Sequence, residues 1–131
     1  MNRKDVWRYK SLEQLENKRW EPATEHDSIV TKRCIALSKV PVIKLTASDL
    51  RVLIGQSFNP NYLVPLAIEK LKDDLFVEAD LYPGDLLKNV LDVPPPFWEE
   101  HQELHQDMKQ MIRSRAVEVA SEIDLPGYWQ S

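Results

Sequence analysis

The distribution of glycine and proline constrains the fold of this chain more than any other sequence feature. Three glycines and nine prolines occur in its 131 residues. Helix-forming residues fill the stretches between the prolines, and no stretch shows the sustained apolar–polar alternation of a half-buried strand. The best strand-like piece, residues 40–45, contains Pro41, which demotes it to a linker or an edge segment. The pattern therefore predicts helices that prolines separate.

Helix start signals and apolar spacing predict an all-α fold, a compact single-domain bundle of about five to six helices with proline-rich connectors. A length of 131 residues fits one domain, residues 1–131, with a single core. Residues 1–10 and 125–131 are the candidates for fraying, although 125–131 have the alternative of folding back on two aromatic residues. The first predicted helix begins near Ser11. The others run from Asp27 or Ser28 to about Ser38, from Thr46 to Gly55, from about Asn61 to Asp73, for two turns after Asp85, and from Phe97 to about Asp124.

Two of these helices carry clear capping signals. Ser11 and Gln14 have the spacing of a capping box, in which the hydroxyl and the amide each satisfy a backbone N–H of the first turn. Thr46 is an N-cap, and Asp49 follows three residues later, near the positive end of the helix dipole. These signals predict helices that begin at both positions.

Pro65 and the prolines at 94–96 test the helix assignments. Pro65 fits the predicted fourth helix without a penalty only if it lies in the first turn, where its missing N–H would be unpaired anyway. Residues 94–96 are three consecutive prolines, which we expect to form a stiff, extended spacer rather than a helix.

The lone cysteine and the N-terminal residues bear on the compartment. Cys34 cannot form an internal disulfide, and it shares an apolar helical stripe with Ile29, Val30 and Leu37, so we expect it to be buried. No apolar run approaches the roughly 18 residues that span a bilayer, and the charged residues 1–7 do not resemble a signal peptide. A cytoplasmic protein that does not bind membranes is the expectation.

The net charge of −4 conceals an uneven distribution. Residues 1–59 carry a net charge of +4, residues 60–107 a net charge of −8, and residues 108–131 no net charge. Such a charge run is most often a solvated face. The alternative is that residues 60–107 steer a basic partner, and the same charge argues against binding nucleic acid.

The histidines offer the strongest hint of a metal or catalytic site. His101 and His105 share a helix face, but the intervening residues do not form a His-Glu-x-x-His motif, and no third ligand is obvious. A metal-dependent hydrolase that uses this pair with Glu100 and Glu103 is therefore an alternative, whereas solvated helix residues are the preferred interpretation. We expect no catalytic residues, no metal and no cofactor.

Residues 46–71 have the outline of a helix–turn–helix, which raises a small transcription regulator as another alternative. The second helix has basic residues only at its C-terminal end, at Lys70 and Lys72, whereas a recognition helix reads base edges from its N-terminal end. We interpret the pair as a helical hairpin inside the core.

A series of short sequences carries a family resemblance. They are residues 9–16 (YKSLEQLE), 30–34 (VTKRC), 45–56 (LTASDLRVLIGQ), 62–67 (YLVPLA) and 80–87 (DLYPGDLL). In this order and spacing they resemble an immunity protein of bacterial contact-dependent growth inhibition (CDI) systems.

The resemblance implies a small cytoplasmic protein that binds and neutralises the toxic C-terminal domain of a cognate CDI toxin. Such toxins are commonly nucleases, often acting on RNA. The implied partner is a basic nuclease domain in a 1:1 heterodimer whose active site the immunity protein covers. The family acts by binding, so the resemblance supplies no catalytic residues.

The contact surface is predicted from charge, because a nuclease site that holds phosphates is cationic. Tyr82, Phe97 and Trp98 are candidate aromatic anchors, although each is more often a core residue. Residues 82–85 are expected to be a structural helix start. The predicted toxin-binding residues are Asp73, Asp74, Glu78, Asp80, Asp92, Glu99, Glu100 and Glu103.

Overall fold

A computed structural model describes the backbone of residues 3–130 and the side chains of residues 6–130. Over this range the chain forms helices and no strand, which confirms the all-α prediction. No helix within these residues is both long and apolar enough to cross a lipid bilayer. The helices are α1 (Leu12–Glu16), α2 (Ile29–Leu37), α3 (Ala47–Gly55), α4 (Pro60–Asp73), α5 (Asp85–Leu91), α6 (Pro95–Glu100), α7 (Gln102–Ser114) and α8 (Ala116–Glu122), with short 3-10 segments at Arg3–Tyr9, Val42–Lys44 and Gly127–Trp129.

The predicted capping box at Ser11 forms, and the predicted N-cap at Thr46 proves to be part of a second one. The backbone N–H of Ser11 donates to the Gln14 amide oxygen at 2.8 Å, and the Gln14 N–H donates to the Ser11 hydroxyl at 3.3 Å. At the start of α3 the same exchange joins Thr46 and Asp49, at 2.9 and 3.1 Å. Each cap typically stabilises its helix by about 1 kcal/mol. The local sequence therefore determines where these two helices begin.

The core is built around α3, which packs against both α4 and α5. The pair α3 and α4 is the helical hairpin that the sequence predicted, since the two helices pack against each other and α4 buries six side chains, from Leu63 to Leu71. The fully buried residues at the centre include Leu50, Leu53, Leu63, Val64, Ala67, Leu86, Leu87 and Val90.

The prolines deviate from expectation in two places. Pro65 lies inside α4, one turn beyond the first, so α4 lacks the hydrogen bond that a backbone N–H at this position would donate. Pro95 and Pro96 form the first turn of α6, and only Pro94 is extended. The expectation of a wholly extended spacer was wrong because the first residues of a helix need no N–H donor.

The predicted long final helix is interrupted twice, which raises the number of helices in the described chain above the prediction. His101 has φ −127° and ψ 65°, and Arg115 has φ −134° and ψ 40°, both outside the helical region. His101 Nε2 lies 3.0 Å from Asn61 Oδ1 of α4, and the Arg115 guanidinium lies 4.8 Å from the Phe76 ring centroid. Both breaks therefore coincide with contacts to distant parts of the chain.

The C-terminal tail folds back onto the core. Trp129 is buried, and its indole Nε1 donates a hydrogen bond to the Leu91 carbonyl at 2.9 Å. Its ring packs edge-on against Trp98 with a centroid distance of 4.9 Å. Tyr128 remains exposed. The Tyr128 ring nevertheless stacks on that of His105 at a centroid distance of 5.4 Å, so both aromatic residues hold the tail, with Trp129 the buried one.

The apolar stripe predicted for α2 is only partly correct. Cys34 is buried as expected, but Ile29 is 85% exposed and Val30 is also exposed. Both residues belong to the first turn of α2, which extends past the core. Helical spacing shows which residues share a face, but not how far along the helix that face stays covered.

Candidate functional site

Asp85, the first residue of α5, holds the segment that links α4 to α5 by accepting three backbone hydrogen bonds from it. Asp85 Oδ1 accepts a hydrogen bond from the Ala79 N–H at 2.7 Å, and Oδ2 accepts from the Asp80 and Leu81 N–H groups at 2.9 and 2.8 Å. Only 2% of the residue is exposed. Burial raises the pKa of Asp85, but these N–H groups and nearby Arg51 outweigh it and hold the pKa below its ordinary value.

The same segment is fastened to α3 through the side chain of Asp80. Asp80 Oδ1 accepts a hydrogen bond from the Ser48 hydroxyl at 2.6 Å, and Oδ2 accepts from Arg51 Nε at 2.8 Å. These two donors hold the pKa of Asp80 below its ordinary value. Arg33 of α2 extends the network, since its guanidinium donates to Ser48 at 2.7 Å and to Asp49 at 3.0 Å. Three helices and one loop are thereby linked.

We call residues 78–83 the α4–α5 loop. An isolated bridge pairs its ends, Glu78 and Pro83, and the next residue, Gly84, takes the left-handed backbone conformation with φ 94°. Residues 82–85 therefore form the structural helix start that the sequence predicted. The loop has a defined shape because its backbone and one of its side chains are bound to the helices beneath it.

Two large apolar side chains project from this loop into solvent. Leu81 is 68% exposed and Tyr82 is 41% exposed. The other two aromatic anchors considered from the sequence, Phe97 and Trp98, are buried in the core. Leu81 was missed by the sequence reasoning. The available signal was an apolar residue placed between Asp80 and the Pro-Gly turn, where the chain cannot continue a helix.

The predicted toxin-binding carboxylates occupy several regions of the surface. Asp73 and Asp74 end α4, whereas Glu78 and Asp80 belong to the α4–α5 loop. The remaining four residues, Asp92, Glu99, Glu100 and Glu103, lie along the chain from the end of α5 to the first turn of α7. The predicted surface therefore draws on three separate segments of the chain.

The length of α4 separates two of these groups. Asn61, near the start of α4, contacts His101 at the junction of α6 and α7. Asp73 ends α4, twelve residues later, which is about 18 Å along a helix axis. Glu99 and Glu100, next to His101, therefore lie near one end of α4, whereas Asp73 and Asp74 lie at the other. Glu103 lies between these ends, since Asp107, one turn further along α7, pairs with Lys72.

Several predicted carboxylates already have partners. Asp80 pairs with Arg51, and Asp92 Oδ1 accepts from Lys88 Nζ at 3.0 Å. Asp74 Oδ1 accepts from the Phe76 N–H at 3.2 Å. Asp73, Glu78, Glu99, Glu100 and Glu103 are exposed, and over residues 6–130 no ion pair joins any of them to a cation.

The two helical histidines occupy different environments. His101 bonds Asn61, whereas His105 is buried between Trp98, Tyr128 and Trp129. Burial, aided by the charge of Lys109, lowers the pKa of His105. Over the described residues, no group of three or more His, Cys, Asp or Glu side chains is arranged to hold a metal ion.

A shallow groove lies beside Asp92, at the end of α5. It has a volume of about 410 Å³, and its walls include Ile54, Phe58 and Phe97 together with Asn89 and Asp92. It connects the end of α5 to α6, so that Asp92 lies on the same side of the molecule as the start of α6.

Comparison with known proteins assigns the chain to a family. A family model described as CDI immunity proteins matches residues 14–108, which extend from α1 into α7 and include the α4–α5 loop. No curated protein and no solved structure matches the chain. The family match covers most of the chain and confirms the resemblance carried by its short sequences. The chain belongs to the family of CDI immunity proteins.

Proposed function

We propose that this immunity protein acts by binding and not by catalysis, and that it lies across the active site of a nuclease toxin domain in a 1:1 complex. The observation that carries the proposal is the set of exposed carboxylates without a cationic partner among the described residues. The set comprises Asp73, Glu78, Glu99, Glu100 and Glu103. A nuclease site holds phosphates and is therefore cationic, so such a surface is attracted to it.

Ion pairs within the protein do not neutralise all of its acidic side chains, so the attraction to a cationic site remains. Residues 60–107 hold 11 Asp and Glu against 3 Lys and Arg. Arg51, Lys88 and Lys72 neutralise Asp80, Asp92 and Asp107, at N–O distances of 2.8, 3.0 and 3.4 Å. Most of the remaining acidic residues face solvent. The excess is therefore available to a partner.

The densest part of this set is the junction of α6 and α7. Glu99, Glu100 and Glu103 lie within five residues, and all three are exposed. We assign this junction the main electrostatic role in the encounter with the toxin. An RNA-cleaving domain is the favoured partner, and the cytoplasm is the place where the two proteins meet.

The test uses the C-terminal domain of the toxin encoded next to the immunity gene. Cleavage of RNA by that domain should stop when equimolar immunity protein is added. The association rate should fall steeply with salt, since screening weakens long-range attraction. The variant E99K/E100K/E103K should associate at least about tenfold more slowly at low salt, because electrostatic steering changes on-rates by factors of 10 to 10³.

A matched control reverses the same number of charges elsewhere. Glu21, Glu25 and Glu122 are exposed and lie outside the predicted surface. The variant E21K/E25K/E122K changes the net charge equally, so it should affect the rate much less. Equal rates for the two variants would show that only net charge matters and not the α6–α7 junction. Absence of binding and of inhibition by the unaltered protein would refute the proposed function itself.

A further inference from the structure

The α4–α5 loop combines rigidity with apolar exposure. Leu81 and Tyr82 are both exposed, although the N–H of Leu81 is bonded to Asp85 and the carbonyl of Tyr82 accepts from the Asp85 N–H at 3.1 Å. An exposed apolar residue on a mobile loop is ordinary. Leu81 and Tyr82 are adjacent, and side chains of α3 and α5 hold the loop that carries them. The surface that these two residues form therefore has its shape before a partner binds.

Preorganised apolar side chains are well suited to binding. Association is opposed by the loss of side-chain and loop freedom, and a loop that is already ordered has less freedom to lose. Tyrosine and other rigid aromatic residues give large contact area for few rotatable bonds. Tyr82 therefore has the properties of a central anchor. Leu81 adds exposed apolar area beside it, and Glu78 at the base of the loop supplies a charged rim.

The charge of the loop indicates the chemistry of its partner. Residues 78–85 contain Glu78, Asp80 and Asp85 and no basic residue, and Arg51 is the cation that pairs with Asp80 and lies 3.8 Å from Asp85. Residues 78–85, which are the loop and the start of α5, together with Arg51 therefore carry a net negative charge. Two copies of this chain meeting symmetrically through the loop would oppose like charges, whereas a basic domain would not.

We propose that the α4–α5 loop is the recognition loop of this protein, with Leu81 and Tyr82 inserting into an apolar cleft with a basic rim on the toxin nuclease domain. This inference rests on the proposed function and assigns it a second contact region. Charges at the α6–α7 junction accelerate the encounter, whereas the loop determines how long the complex lasts. The loop thus controls which toxin is held.

The test separates these two roles by kinetics. Surface plasmon resonance with the toxin domain encoded next to the immunity gene should show that L81A and Y82A each raise the dissociation rate by about tenfold or more, as truncation of an interface anchor does. The association rates should stay close to that of the unaltered protein. Both side chains are exposed, so the melting temperature of each variant should remain unchanged.

The control removes apolar side chains that are more exposed than Leu81 and Tyr82 and lie elsewhere on the surface. Ile29 and Val117 are 85% and 84% exposed, on α2 and α8. I29A and V117A should leave both rate constants unchanged. Dissociation rates of L81A and Y82A equal to those of the controls would overturn the recognition loop while leaving the proposed function in place.

Two further outcomes count against the loop. Analytical ultracentrifugation of the free protein should show a monomer. A dimer that L81A and Y82A dissociate would assign the loop to self-association and overturn the inference. If the unaltered protein neither binds nor inhibits the toxin domain, the proposed function fails, and the recognition loop, which rests on it, fails too.

Discussion

Asp85 Oδ2 accepts a hydrogen bond from the backbone N–H of Leu81 at 2.8 Å, so a buried carboxylate fixes the position of an exposed apolar residue. The same oxygen accepts from the Asp80 N–H at 2.9 Å, and Oδ1 accepts from the Ala79 N–H at 2.7 Å. An ionised carboxylate accepts at both oxygens and donates at neither. The loop conformation therefore depends on the charge and on the geometry of one side chain.

Replacing Asp85 by asparagine should destabilise the protein. The amide nitrogen cannot accept the N–H groups that face it, so at least one buried donor loses its partner, at a cost of about 1–3 kcal/mol. Urea unfolding should show a lower midpoint with an unchanged slope. The control is D92N, at the other end of α5, which removes only an exposed pair with Lys88 and should cost less than about 0.5 kcal/mol. Equal midpoints for D85N and D92N would contradict the role assigned to Asp85.

Replacing Gly84 by alanine should also destabilise the protein. Gly84 has φ 94°, and a Cβ at this position would lie 3.2 Å from Ile123 Cδ1. The left-handed conformation alone costs an alanine roughly 1–2 kcal/mol. G127A is the control, because among the described residues, apart from Gly127 and its chain neighbours, no atom lies within 4 Å of an added Cβ at Gly127. Thermal unfolding of the two variants should show a lower melting temperature for G84A only.

The stability of the fold should decrease below neutral pH because of His105. Burial lowers its pKa below the ordinary 6.5, so the unfolded chain binds a proton more readily than the folded one. The contribution of His105 is fully present above pH 6.5 and is lost as the pH falls below 6.5 toward the lower folded value. The free energy of unfolding, measured by urea titration from pH 5 to pH 8, should show this decrease.

The control for His105 is H105F, which cannot be protonated. Among the described residues His105 Nε2 has no hydrogen-bond partner, and the ring packs against Trp98, Tyr128 and Trp129, so phenylalanine keeps the aromatic contacts. The variant should have a flatter stability profile between pH 5 and about 6.5. An unchanged profile would assign the pH dependence to other groups.

Truncating Trp129 should be strongly destabilising although it is near the end of the chain. Its ring is buried against Trp98, and its indole donates to the Leu91 carbonyl. Removal of a buried tryptophan side chain typically costs about 3–5 kcal/mol. Y128A removes the neighbouring ring, which is 38% exposed and stacks on His105, and should cost less. Chemical unfolding of both variants tests the difference, and a loss for the Trp129 variant no larger than that for Y128A would contradict the role assigned to Trp129.

Local signals predicted the helix starts well. Ser11, Ser28 and Thr46 each accept a backbone N–H of the following turn, as their sequence context indicated. A cap and the helix it begins lie within four residues, so the interactions that decide the start are all visible in a short stretch of sequence. The same locality explains why α5 begins at Asp85 after the Pro-Gly turn.

The breaks at His101 and Arg115 had no such local signal. His101 lies between Glu100 and Gln102, and Ala116 follows Arg115, all good helix formers, and neither break contains proline or glycine. His101 contacts Asn61, and Arg115 contacts Phe76, each about 40 residues away in sequence. Contacts at that separation do not appear in the periodicity of a single segment, so the sequence predicted one continuous helix.

At the candidate site, too, some properties follow from the sequence alone, whereas others depend on contacts between distant residues. The sequence alone determined that residues 60–107 carry an excess of acidic side chains, because charge is a property of composition. Only the tertiary structure decided that Asp80 is held by Ser48 and Arg51, whereas Glu99 is left to solvent. Capping and net charge depend on neighbours along the chain, whereas ion pairing and exposure depend on neighbours in space. The packing of α3 against α5 brings Arg51 to Asp80 and leaves Leu81 outside the core.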